Sequence, residues 1–218
     1  MTQFAKGLPT DRTGKLFGQS GQHGPVLALS IGLMPSSKDI FTRNCPPMNQ
    51  TTERLILRPP TADDLPSLFA IYGDPATNQF NPAGPLNELH QAQTLLHGWL
   101  THWRDHGYGQ WAIASREAPD QVIGFGGVAL YNYLAEPRLN LGYRFATAAW
   151  GKGFATELGR AALEFAFAEL DAEQVFALVR PNHQASIGVL EKLGMQRIEL
   201  LDDVPGQAQS LVYRADRP

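Results

Sequence analysis

The sequence predicts an α+β fold, a single mixed and mostly antiparallel twisted sheet flanked by helices, and three observations predict it. Three segments of alternating or continuously apolar residues follow one another in the middle of the chain, as in an antiparallel meander. Stretches with a 3.6-residue apolar period stand before and after that block. A strand, a glycine-punctuated loop and a helix then lead into another strand, a short helix and two last strands, which complete a mixed sheet.

Each element has its own local cause. Residues 53–58 (ERLILR) alternate polar and apolar side chains and read as a first strand. Thr61, with Asp64 three residues on, is a capping signal for a helix whose apolar face is Leu65, Leu68, Phe69 and Tyr72. A second helix over residues 88–106 carries Leu89, Ala92, Leu96, Trp99 and Trp103 on one stripe and should pack on the sheet. Strands are expected over 110–115, 122–131 and 139–145, with Ala118, Pro119 and Asp120 forming the turn between the first two. The helix after the glycine loop buries Phe154, Leu158, Ala161, Ala162 and Phe165 and leaves Glu157, Arg160 and Glu164 outside. A strand over 174–180, a closing helix carrying Ile187, Leu190 and Leu193, and strands over 196–201 and 209–214 finish the sheet.

Composition narrows the function. With 218 residues, 43% of them hydrophobic, the chain can bury a full core, so one domain plus an appendage is expected. The expected domain spans 48–218. Residues 1–47, rich in Gly, Pro, Ser and Thr, read as a poorly ordered extension, with Met48 a candidate true start. A formal charge of −3 supplies no basic stripe for nucleic acid. The apolar run 26–34 is too short to span a bilayer, so no membrane partner is expected. The single cysteine, Cys45, excludes an internal disulfide framework and a thiolate zinc site, and a cytoplasmic setting is the expectation. His102 and His106 stand four apart on the second helix, but no metalloprotease pattern accompanies them and a solvated face is the reading; no metal is expected. With no cysteine in the domain and no G-x-S-x-G elbow, covalent catalysis is disfavoured.

Two segments carry the chemistry. Residues 138–155 (RLNLGYRFATAAWGKGFA) run strand, glycine loop, helix. Gly151 and Gly153 let backbone approach an anion, and the helix start aims unpaired amides and its positive dipole end at the same point, so a pyrophosphate is the natural guest. The loop lacks the GK[ST] ending of a P-loop. Residues 180–195 (RPNHQASIGVLEKLGM) give a strand end, a polar corner and a short helix closed by Gly194. Together these segments resemble the GNAT acyltransferase superfamily, in its branch related to the RimJ and RimL ribosomal-protein acetyltransferases. The resemblance runs from about residue 53 to the C-terminus. Trp150, Gly151, Lys152, Gly153, Phe154 and Ala155 stand in the first motif, where Trp150 departs from the usual Gln or Arg. Asn182, Ser186, Glu191, Lys192, Leu193, Gly194 and Met195 supply the second with one position of slack.

The resemblance implies a GNAT acyl-CoA N-acyltransferase fold in which the strands ending at Phe145 and Arg180 splay, and acetyl-CoA enters the gap as co-substrate. The amides of 151–155 would take its pyrophosphate, and Lys152, otherwise a solvated loop lysine, would add a contact worth about 1 kcal/mol. A backbone amide at Tyr143 to Phe145 would polarise the thioester carbonyl. The tyrosine that protonates the thiolate in many members is replaced by Leu190, and the branch's serine matches Ser186, with Asn182 holding the corner; the alternative for Ser186 is a helix cap. Asn140 occupies the usual place of an acidic residue, where it would order a water, while Glu136, Glu88 and His90 are alternative bases. Tyr131 and Tyr133 lie past the third strand and read as ordinary strand-end aromatics. The expected reaction is direct acetyl transfer to a primary amine, from a protein N-terminus, an amino acid or a small amine, by a monomer or homodimer. The rival from another class is a non-catalytic acyl-CoA sensing module.

Overall fold

A computed structural model describes residues 49–134 and 136–218. The extension 1–47, the apolar run 26–34, Cys45 and Met48 lie outside the described residues. The elements are β1 (Gln50–Thr51), β2 (Leu55–Arg58), α1 (Leu65–Gly73), α2 (Leu89–His106), β3 (Gln110–Ser115), β4 (Ala118–Tyr133), β5 (Glu136–Phe145), α3 (Phe154–Ala168), β6 (Gln174–Val179), α4 (Gln184–Lys192), β7 (Gln196–Leu201) and β8 (Ser210–Asp216). The eight strands form one sheet in the order β1-β2-β3-β4-β5-β6-β8-β7. Only β5 and β6 pair in parallel; the other neighbours are antiparallel.

Two apolar layers cover the two faces. On one, Leu68, Ile71, Ala92 and Leu96 of α1 and α2 close on Ala112 and Phe125. On the other, Leu158, Ala162, Phe165 and Ala166 of α3 and Leu190 of α4 pack on Trp111, Ile113, Val128, Leu141 and Val175. A glycine sets the closeness of the second layer: a Cβ on Gly126 would stand 2.6 Å from Cδ2 of Leu158 and 2.7 Å from Cβ of Tyr143, so α3 lies on bare backbone there.

The capping signal at Thr61 holds in altered form. The Asp64 carboxylate accepts from the Thr61 amide at 2.7 Å and from Arg58 at 2.8 and 2.6 Å, fixing a 3-10 turn over 62–64 ahead of α1. Three expectations are corrected. The turn between β3 and β4 is at Arg116 and Glu117, and Ala118, Pro119 and Asp120 belong to β4. Pro119, which has no amide to give a ladder, falls between the pairs Ser115↔Ala118 and Ala114↔Val122, where the register shifts. Leu89 is 47% exposed at the start of α2 rather than on its buried stripe. Glu157, expected outside, has a side chain only 13% exposed, because it braces the glycine loop.

Candidate active site

The glycine loop is shaped by two left-handed residues. Gly151 (φ 73°) and Gly153 (φ 79°) adopt a conformation that side chains disfavour, and Gly153 is the residue on which α3 begins. Among the described residues the amides of Gly151, Lys152 and Gly153 have no backbone partner, and those of Phe154, Ala155 and Thr156 have no carbonyl within the helix to pair with. Three of these donors stand at the positive end of a 15-residue helix, and three more lie in the loop that leads into it.

A strut from the far edge of the sheet fixes this loop. Arg54 donates through Nη1 to the Lys152 carbonyl at 2.8 Å and through Nε to Glu157 at 2.7 Å, and its guanidinium lies 5.0 Å over the Phe154 ring. Glu157 also accepts from the Arg54 amide at 2.7 Å and the Thr52 hydroxyl at 2.5 Å. Burial alone would raise the Glu157 carboxyl; the bonds from Thr52 and Arg54 outweigh it and hold the group below its ordinary value. With the Lys152 carbonyl turned to Arg54, the loop amides are free to face elsewhere. Trp150, 51% exposed, donates its indole N–H to the Phe145 carbonyl at 3.0 Å and so ties the loop to the end of β5.

β5 and β6 meet at a single register pair, Asn140↔Phe176, and then part. β4 pairs with β5 along residues 136–145 and β8 with β6 along 174–179, so among the described residues the inner edges from Leu141 to Phe145 and from Ala177 to Val179 lack a strand partner. Main chain left in this way needs a guest or water. On the α3 side of the cleft the Tyr143 hydroxyl and Ser186 Oγ are 2.9 Å apart. Burial pushes the Tyr143 hydroxyl up to about 12, against the smaller opposite pull of Ser186, so it remains protonated. His183, not Ser186, precedes the first turn of α4, and the Ser186 side chain is engaged with Tyr143 rather than with the helix amides. Asn182 is exposed at the corner, its carbonyl accepting from the Gln184 amide at 3.1 Å. Leu190 is 2% exposed in the core.

On the opposite face, α1, α2, β3, β4 and β5 form an open pocket of about 280 Å³ lined by Tyr72, Trp99, His102, Gln110, Leu130, Tyr131, Asn140, Gly142 and Arg144, among others. Asn140, at the apex of the split, accepts a 2.6 Å hydrogen bond from Tyr133. Tyr133 therefore supports the pocket from behind and Tyr131 lines it. His102 has a buried Nε2 with no partner, and burial together with the charge of His106 lowers its ring below the ordinary 6.5 despite Asp105. The ring is neutral at neutral pH. Among the described residues no third metal-ligating side chain joins His102 and His106. Glu136 pairs with Arg138 at 3.6 Å and Glu88 with His90 at 2.9 Å, all outside the pocket lining. The pocket's cation is Arg144, a residue that motif reading passes over because it sits between two motif positions. In the sequence His102 is one of two helical histidines; its burial depends on how α2 ends against Tyr108 and Gly109.

Comparison with known proteins agrees with this geometry. The family model of the acetyltransferase (GNAT) domain matches residues 54–196. The uncharacterised N-acetyltransferase p20 of Bacillus licheniformis is 28% identical over 152 residues, 70% of this chain and 84% of that protein. The crystal structure of the acetyltransferase from Agrobacterium tumefaciens strain C58 superposes with a TM-score of 0.65 at 26% identity, covering 78% of this chain and 94% of that one. The spermidine N-acetyltransferase of Vibrio cholerae, solved with CoA and spermine, shares the fold with a TM-score of 0.63 at 18% identity, over 76% of this chain and 97% of that one. The chain belongs to the GNAT acetyltransferase family and is an acyltransferase enzyme of that family.

Proposed function

We propose that this enzyme transfers acetyl from acetyl-CoA directly to a primary amine in a ternary complex, within the RimJ/RimL-like branch that its Asn182 and Ser186 resemble. The observation that carries the reading is the parting of β5 and β6 after one register pair, beside a glycine loop with unengaged amides. The amides of 151–155 hold the pyrophosphate, with Lys152 at the rim. The edges of β5 and β6 take the amide groups of the pantetheine arm as an added strand would, and the end of β5 at Tyr143 to Phe145 offers an amide to the thioester oxygen. No described helix is long and apolar enough to cross a membrane; the cytoplasmic setting proposed for the enzyme rests on the single cysteine and the resemblance.

Two protons have to move. His102, neutral and lining the pocket, accepts the one the amine loses, directly or through a water held by Asn140. Ser186 and Tyr143, 2.9 Å apart, relay one proton to the departing sulfur; solvent returns a proton to Tyr143 and takes up the one that His102 received, so each turnover leaves both residues as they began. Proximity in the bound pair supplies much of the remaining acceleration. The test is calorimetry with CoA followed by thiol release from acetyl-CoA with a panel of amines. Heat on titration and amine-dependent thiol release are expected; heat without transfer to any amine would leave only an acyl-CoA binding module, and absence of heat would remove the donor site.

A further inference from the structure

Arg144 is placed for a ligand that none of the described residues supplies. Its side chain leaves β5 on the α1/α2 face, where its guanidinium lies 4.3 Å over the Tyr72 ring and its Nη1 donates to Oδ1 of Asn78. Among the described residues no carboxylate pairs with it, and Nε and Nη2 have no hydrogen-bond partner. Burial pulls this guanidinium below its ordinary value, offset only in part by Tyr72, as expected of a cation short of a counter-charge. Its positive charge reaches the neighbouring corner too, where it adds to burial in lowering His183, the ring stacked 4.1 Å from Phe80.

The pocket around Arg144 contains no aspartate or glutamate in its lining. An acceptor with a second ammonium would face an uncompensated guanidinium there and find no anion. An acceptor with a carboxylate would satisfy the guanidinium by a charge-assisted and fork-shaped contact. The rest of the lining completes the fit. Asn140 and His102 share this lining with Arg144 and offer an amine a hydrogen-bond partner and a base, and Tyr72, Trp99 and Tyr131 offer aromatic wall to an apolar body. About 280 Å³ suits a molecule of amino-acid size.

We infer that the acceptor is a small amine bearing a carboxylate, an amino acid with an apolar side chain being the type, with Arg144 binding the carboxylate while the amine lies toward Asn140 and His102. The inference rests on the acetyl-transfer reading, and its test separates the two. Full-length protein is assayed for kcat/KM with free phenylalanine, leucine and methionine, with their carboxamides, with tripeptides beginning in the same residues, and with spermidine. CoA binding is measured by calorimetry on the same samples. The free acids should exceed the carboxamides by about 10- to 100-fold, the range expected for a hydrogen bond to a charged group. That preference would run against chemistry, since the carboxamide has the larger neutral-amine fraction at a given pH. Arg144→Gln should bring the acids down to the level of the carboxamides and leave CoA binding unchanged; a purely structural role would lower both acceptor classes alike. Acids and amides equal in the wild type, faster transfer to tripeptides or to spermidine, or CoA binding with no transfer to any carboxylate-bearing amine would overturn the carboxylate site and leave the CoA site standing. No heat with CoA would instead overturn the reading beneath it.

Discussion

The two sides of β5 use different materials. On the α3/α4 side, the proposed donor site is main chain contributed by one contiguous loop, Gly151 to Ala155, and by the edge of the split that no described strand pairs with. On the α1/α2 side, the pocket is side chains from separate segments, Tyr72 on α1, His102 on α2 and Asn140 and Arg144 on β5. A backbone site tolerates almost any side chain that keeps its glycines, so one donor can be held while sequence drifts. A side-chain site changes its preference with one substitution. Substitutions on the first side should therefore move binding of CoA, and those on the second should move turnover and acceptor choice.

The largest break is expected at Gly153→Glu. The residue would need a left-handed backbone at φ 79° and would set a carboxylate against the pyrophosphate, while its Cβ meets only Nη2 of Arg54, at 3.4 Å. A like-charge contact of about 4 kcal/mol corresponds to CoA binding weakened by about 1,000-fold, read by calorimetry, while the left-handed backbone costs about 1–2 kcal/mol and lowers the melting temperature by only a few degrees. An unaltered affinity would remove the loop from the donor site.

His102→Gln tests the other side. Turnover should fall by about 100-fold with CoA affinity intact. In the wild type kcat/KM should fall as the pH drops through the His102 value below 6.5, and this acidic limb should vanish in the variant. Stability follows the same sign. His102 and His183 are both held below 6.5 in the fold, so unfolding takes up protons in acid, and stability present above pH 6.5 is lost as the pH falls beneath it. A pH profile unchanged by the substitution would return His102 to a packing role.

Ser186→Ala should lower kcat by about 10-fold while the apparent KM for acetyl-CoA moves little, and equal turnover would show that Tyr143 and Ser186 only brace the cleft. The smallest effect belongs to the strut. Glu157→Gln leaves Arg54 without its anion and should weaken CoA by about fivefold, at a stability cost of about 1 kcal/mol in urea unfolding. If it altered acceptor preference instead, the division of labour between the two sides would be wrong.

The same difference in material governs what the sequence discloses. Gly151 and Gly153 stand out in the sequence because a backbone loop needs glycine at fixed local spacing, and Ser186 because of its place in the second motif ahead of Glu191 to Gly194. The Arg54–Glu157 strut is not, because its partners stand 103 residues apart and meet only when β2 lies across the sheet from α3. Arg144 and Tyr72 meet through the packing of α1 on β5, which no periodicity encodes. His102 is on the exposed side of the α2 pattern, yet the turn after α2 buries its Nε2. The Pro119 signal misleads for a related reason: an interrupted ladder accepts a proline that a regular one would reject.

Amide hydrogen exchange on the wild-type protein, with and without CoA, tests the central claim most directly. The account predicts slowed exchange confined to the amides of 151–156 and the inner edges of β5 and β6, with little change at Tyr72 to Asn78 on the acceptor side. Unchanged exchange in the loop and along both strand edges at saturating CoA would contradict it.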